Sequence, residues 1–266
     1  MQTKTIGRLH DAVWGAAVGD ALGVPYEFKE RGSFECTGMV GYGTHHQPAG
    51  TWSDDTALML ATCDSIKQCG RIDTTDMLER FRSWYNQGDY TPDGKVFDVG
   101  NATAEALYTG EGLTGEWSNG NGSLMRIAPL AFCGATDEQV RAVSAITHAH
   151  PISTGACVEF VHLLKEADAD PTALHERLRE ELASVPRSKI RSGGYVLDTL
   201  RAAQWCFATT DNYRDCVLEA VNLGSDTDTT ACVAGALAGT VYRIECIPKE
   251  WRVALRGTGV LEDALF

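Results

Sequence analysis

Residues 222–239 read "NLGSDTDTTACVAGALAG". The second half is a run of small apolar residues with helical character. Two acids, Asp226 and Asp228, introduce it with one threonine between them. A single oxygen-bearing side chain at the N-cap satisfies the exposed N–H groups of a helix start, so one of the two acids has a structural reason. The macrodipole tolerates the other in the first turn. On a regular helix, however, positions i and i+2 point about 200° apart. The two carboxylates converge only if "SDTDT" is an irregular lead-in to the helix.

The same order of residue types occurs at "GTWSDDTALMLA", residues 50–61: glycine, hydroxyl, paired acids, threonine, then an apolar helix. Near the amino terminus "GAAVGDALGVPYEF" carries Glu27 just past a Gly/Pro break, while Asp20 within it reads as a buried hydrogen-bonding residue. Two helix caps explain two or three of these groups. They do not explain the five carboxylates of Glu27, Asp54, Asp55, Asp226 and Asp228 flanked by the hydroxyls of Ser53 and Thr229. Clustered carboxylates repel unless a cation sits among them, and all-oxygen donor sets favour hard ions such as Mg²⁺, Mn²⁺ or Ca²⁺. A metal centre of two ions, joining the first quarter of the chain to its last, is the expectation. Zinc is disfavoured: His45–His46 and His148–His150 have no cysteine or histidine partners at ligand spacing, and His45 and His46 are expected in a loop or surface role.

Two known loops fail on "DTDTT". In an EF-hand loop starting at Asp226, position six would be Ala231 where glycine is required, and position twelve Leu237 where a glutamate is required. The DxDxT of aspartate-nucleophile phosphatases follows a buried strand. Here a helix-like "YRDCVLEAVNLG" precedes it, and the 38 residues from 229 to 266 are too few to build such a sheet.

Apolar positions recur at helical spacing nearly everywhere, and helices are predicted around residues 8–19, 55–68, 74–86, 100–109, 137–148, 154–167, 172–184, 195–208, 212–222 and 229–243. A further helix is read in "LMRIAPLAF". Strand-like alternation is almost absent, and no linker, repeat or low-complexity segment divides the chain. The expectation is an all-α, single compact multi-helix bundle spanning residues 1–266. Glycine is in excess, 27 of 266 residues, and clusters in loops, which suits an enzyme better than a scaffold. The formal charge of −13 argues against nucleic acid as a partner. No stretch is apolar enough to span a membrane, and the amino terminus lacks the apolar core of a signal peptide. Nine cysteines without framework spacing read as free thiols of a reducing compartment. A cytoplasmic monomer is expected.

Together, "GAAVGDALGVPYE", "GTWSDDTALML", "FDVGN", "GNGSLMRIAPL", "THAHP" and "NLGSDTDTTACVAGALAG" resemble the ADP-ribosylglycohydrolase family, most of all its bacterial dinitrogenase reductase-activating type. The blocks stand in family order from about residue 8 to 243. The resemblance implies an all-α fold with a binuclear Mg²⁺ or Mn²⁺ site. It implies hydrolysis of the glycosidic bond between ADP-ribose and an amino-acid side chain, with an ADP-ribosylated protein as partner. It places the metal ligands on Ser53, Asp54, Asp55, Asp226, Asp228 and Thr229, with Ser53 standing where many members have threonine. It makes Glu27, Asp55 and Asp98 the catalytic acids; which of Glu27 and Asp98 activates water stays open. ADP-ribose contacts fall on Gly100, Asn101, Ser118, Asn119, Gly120, Asn121, Gly122, Ser123, Met125 and His148. Tyr195 is either a wall of the adenine pocket or core packing.

The residues themselves leave simpler readings open. Asp98 could cap the helix "GNATAEALY", and "GNGS" could be a plain turn. The electrostatics nonetheless agree with the resemblance. ADP-ribose is a dianion, and few basic residues lie near the acidic motifs, so positive potential would come from divalent ions and from N–H groups of "GNGS" and the helix after it. Two rivals are a catalytically silent member of the fold and a phosphohydrolase; product analysis separates them, since glycosidic cleavage frees ADP-ribose intact.

Overall fold

The structure is a computed structural model that describes residues 2–266, with side chains from residue 7 onward. Among the described residues there are twelve α-helices and no strand, only three isolated bridges. The chain is all-α, as the spacing predicted.

At the centre lies α10 (Thr227–Tyr242), buried from Thr227 to Thr240. A helix apolar all round belongs in a core, and this one is wrapped by α1 (Gln2–Gly23), α2 (Asp54–Cys69), α6 (Pro151–Ala169), α8 (Val196–Thr209) and α9 (Tyr213–Asn222). The most extensive of these packings is with α1. Gly15, Gly19 and Gly23 recur every fourth residue and so form one stripe. A methyl group on Gly15 would overlap Gly235 and Gly239, on Gly19 Ala231, and on Gly23 the Asp228 backbone. The two backbones touch because no side chain separates them. That contact seats the start of α10 against the end of α1.

The remaining helices are α3 (Thr74–Gln87), α4 (Asn101–Thr109), α5 (Asp137–Ser144), α7 (Pro171–Leu182), α11 (Lys249–Ala254) and α12 (Thr258–Ala264). Two expectations need correction, and two helices were not predicted. The helix expected over 137–148 stops at Ser144, and His148 lies beyond it, its N–H donating to Ser144 O at 2.9 Å. "LMRIAPLAF" is not an α-helix: turns lead to a short 3₁₀ stretch, Ala128–Ala131, because Pro129 supplies no N–H to a helical ladder. The last two helices, six and seven residues long, are too short to show a period.

Candidate active site

Asp20 on α1 is fully buried, and its carboxylate accepts from the Ser53 N–H at 3.0 and 3.1 Å, from the Thr56 N–H at 3.1 Å and from the Thr56 hydroxyl at 2.6 Å. The start of α2 is thus capped from another helix. Ser53 Oγ adds a cap by accepting from the Asp55 N–H at 3.3 Å. Asp54 and Asp55 are left free of any capping duty.

At α10 the capping reading fails outright. Asp226 occupies the N-cap position, yet its side chain caps nothing. Its Oδ2 instead accepts from Asn121 Nδ2 at 2.8 Å. Asp228 Oδ1 accepts from the Thr229 N–H at 2.9 Å, and the Thr229 hydroxyl donates to Asp55 Oδ1 at 3.2 Å, which links the two helix starts. At these two helix starts three carboxylate oxygens are buried with no hydrogen-bond partner among the described residues: Asp55 Oδ2, Asp226 Oδ1 and Asp228 Oδ2. A sealed, unpartnered carboxylate oxygen is costly in a folded protein. Three of them on helix starts joined by the Thr229–Asp55 bond make a donor set suited to hard cations, and the residues present therefore fit a divalent metal.

The same burial disfavours the charged form of these acids. Asp54, Asp55 and Asp228 are raised well above the ordinary carboxylate range, first by burial and then by their acidic neighbours. Burial raises Asp226 too, against the lowering effect of Asn121. It pushes Glu27 up to about 7 and Asp20 to about 6.

A cavity of about 250 Å³ opens beside this cluster. Glu27, Asp54, Asp55, Asp98, Asp226 and Thr229 form its acidic end. Gly100, Asn101, Ser118, Gly120, Asn121, Gly122, Met125 and His148 form the facing wall, together with Trp117 and Gly194; no Lys or Arg among the described residues lines it. Among the described residues, the N–H groups of Gly120, Gly122 and Ser123 are taken up by no protein acceptor. Asp228 sits behind the acidic end, 1 % exposed, with an oxygen within 4.8 Å of ligand-type atoms of Glu27, His45 and Asp98.

Besides Asp228, four residues from the sequence reading stand outside the cavity. Ser53 is buried as the cap of α2. Asn119 is held by Ser153 and Glu116 O, and Ser123 faces Ser144 and Cys157 in the core. Tyr195 is half-exposed beside the rim glycine Gly194, so it is not core packing. Asp98 is not a helix cap: Gly100 holds that position for α4, and Asp98 has a positive φ of 54° with its carboxylate at the cavity. Asp tolerates that backbone region, and such conformations cluster at functional sites.

His45 was expected in a loop or surface role. It lies in a 3₁₀ turn, Gly43–His45, but its ring turns inward, hydrogen-bonded to Glu27 and 4.0 Å from Asp98. The bond to Glu27 raises the imidazole pKa, and burial pushes Glu27 up to about 7. The available signal was position: "THHQPAG" runs directly into "TWSDD", so this loop must pass the cavity mouth.

A pH effect follows from these shifts. Groups whose folded pKa lies above the unfolded value bind more protons folded than unfolded, so their contribution to stability falls as pH rises. His148 opposes this, being lowered to about 3 by burial and by Arg126, but its effect ends near the ordinary histidine value of 6.5. Between pH 6.5 and 8 the raised carboxyls and His45 act alone. With a chelator present, Tm is expected to fall across that window by at least about 3 °C, given about 2–4 °C per kcal/mol in chains of this size. Circular dichroism melts check it; a Tm that rises over the window contradicts the arrangement.

Comparison with known proteins fits this geometry. The family model for ADP-ribosylglycohydrolase matches residues 1–265. An ADP-ribosylarginine hydrolase Tri1 of Serratia proteamaculans is 33 % identical, covering 94 % of this chain and 75 % of its own length. An ADP-ribosyl-[dinitrogen reductase] glycohydrolase of Rhodospirillum rubrum is 32 % identical over 91 % of this chain and 90 % of its own. Among solved structures, a chain of an ADP-ribosylglycohydrolase-related protein complex superposes with a TM-score of 0.79 at 31 % identity, covering 98 % of this chain and 96 % of that one. With an all-α fold, paired acidic helix starts and a glycine-walled cavity, the chain belongs to the ADP-ribosylglycohydrolase family.

Proposed function

We propose that the protein releases ADP-ribose from modified arginine side chains by hydrolysing the glycosidic bond at the distal ribose, with two Mg²⁺ or Mn²⁺ ions held by Ser53, Asp54, Asp55, Asp226, Asp228 and Thr229. The observation that carries this reading is three unpartnered buried carboxylate oxygens, at or just behind one end of a cavity whose other wall offers N–H groups and, among the described residues, no Lys or Arg. When bound, the ions would neutralise the cluster and supply Lewis-acid chemistry toward ribose oxygens and water.

The chain's own residues do the rest. Gly120 and Gly122 direct N–H groups to the diphosphate, and the lack of a side chain there lets the backbone approach. Glu27 and Asp98 flank the acidic end as the two groups able to move a proton while C1 develops oxocarbenium character and water adds. His45 holds the Glu27 carboxyl in place. A guanidinium suits the acidic end of a −13 protein. Departure as guanidine also needs less proton donation than departure as a serine alkoxide. The domain spans 1–266 and works as a monomer; nine free cysteines suit a reducing cytoplasm.

Matched peptides carrying ADP-ribose on arginine or on serine, incubated with Mg²⁺ or Mn²⁺ and read by mass, test the proposal. Intact ADP-ribose is expected, released severalfold faster from arginine. Because most contacts fall on ADP-ribose itself, discrimination rests on few atoms. Faster release from serine overturns the linkage, and AMP as product overturns glycosidic cleavage.

A further inference from the structure

Arg126 lies in "GNGSLMR" and is fully buried, yet among the described residues no carboxylate lies within ion-pair distance of it. Its guanidinium stacks over the Phe81 ring at 4.6 Å and donates to Val143 O at 3.2 Å. It also donates to the Thr147 hydroxyl oxygen at 2.9 Å. Thr147 is itself fully buried, and among the described residues its hydroxyl has one other partner, His148 Nδ1 at 2.8 Å.

The polarity of this chain is forced. Arginine can only donate. The Thr147 oxygen therefore accepts, and the hydroxyl proton is left to be placed. A buried hydroxyl that donates to nothing is costly, and the only acceptor within reach is His148 Nδ1. The imidazole then carries its proton on Nε2. Nε2 has no protein partner among the described residues, and His148 is part of the cavity wall. A Cβ built on Gly120 would lie 3.3 Å from Nε2, and one on Gly122 would lie 2.9 Å from His148 Cε1. The ring edge therefore rests against the two glycines of the anion-facing loop.

We propose that Arg126 and Thr147 are positioning residues that lock His148 as the Nε2–H tautomer, so that it presents a hydrogen-bond donor to the ADP-ribose in the cavity. This rests on the substrate reading above for the identity of the ligand, but not for the tautomer. Burial, and then the guanidinium, lower the His148 pKa and so disfavour a second proton on the ring. A lone charge thus acts at the cavity without lining it: Arg126 fixes the direction of two successive hydrogen bonds.

Nitrogen-15 NMR of the ligand-free protein reads the ring directly. His148 is expected as a single Nε2–H tautomer with an unprotonated, hydrogen-bonded Nδ1. Thr147→Val keeps the shape and removes the hydroxyl. It is expected to replace the single tautomer by a mixture and to weaken ADP-ribose binding, titrated calorimetrically with Mg²⁺ present, by about tenfold, the scale of one hydrogen bond to a charged ligand. Thr147→Ser, which restores the hydroxyl, is expected to return both readouts to within about threefold of wild type. An Nδ1–H tautomer in wild type, undiminished binding in a folded Thr147→Val, or failure of Thr147→Ser to rescue overturns the proposal. If Thr147→Val does not fold, the wild-type spectrum and Thr147→Ser decide. Wild-type protein that shows the Nε2–H tautomer but binds no ADP-ribose refutes the substrate reading instead.

Discussion

Asp228→Ala is expected to abolish divalent-ion binding and to lower ADP-ribose release by about 10³-fold or more, while the protein stays folded. The size follows from losing several kcal/mol of charge stabilisation at the reacting centre. Persistence of the fold follows from the geometry. Asp228 is 1 % exposed, one of its oxygens has no partner, and its carboxyl is held well above its ordinary pKa. Alanine removes an unfavourable group that burial raises first and its neighbours Glu27, Asp55, Asp226 and Asp98 raise further. The metal-free variant should therefore melt no lower than metal-free wild type. Wild-type Tm should rise with Mg²⁺ or Mn²⁺ by linkage, and that of the variant should not. Calorimetric titration with either ion checks the assignment; undiminished binding in Asp228→Ala would falsify it.

Asp98→Asn separates chemistry from binding. Asparagine keeps the size of the side chain and its tolerance of the positive φ of 54° at this position. It removes the charge and basicity at a residue that caps no helix. Ion and ADP-ribose affinity should stay within about threefold of wild type, and turnover should fall by roughly 10²-fold or more, the scale of lost acid–base assistance. A fall in affinity with turnover intact would make Asp98 a binding group, and full activity would leave it without a role.

How much of this was legible in the sequence differs from group to group. Long helices announced themselves because twelve or more residues sample several turns of a 3.6-residue period. The six and seven residues of α11 and α12 do not. The acidic starts of α2 and α10 could be found because five carboxylates exceed what two caps consume. What could not be read was which residue performs the capping. Asp20 was expected to be buried and hydrogen-bonded, and it is, but its service to α2 across 33 and 36 residues is a tertiary fact. His45 was missed because two adjacent histidines in a glycine loop carry no period. Arg126 was passed over inside a motif read for its glycines, since nothing in local sequence marks a cation destined for the core.

The contact between α1 and α10 has a consequence in genetic terms. Gly23 touches the backbone of Asp228, and Gly19 and Gly15 extend the same seam along α10. An allele that adds one methyl group at Gly23 alters no acid and no residue of the cavity wall, yet it displaces the backbone that carries Asp228. In a screen for lost activity such alleles would score with the nulls in the acids themselves. The heritable boundary of this active site therefore runs through the interior of its first helix, one layer deeper than its chemistry.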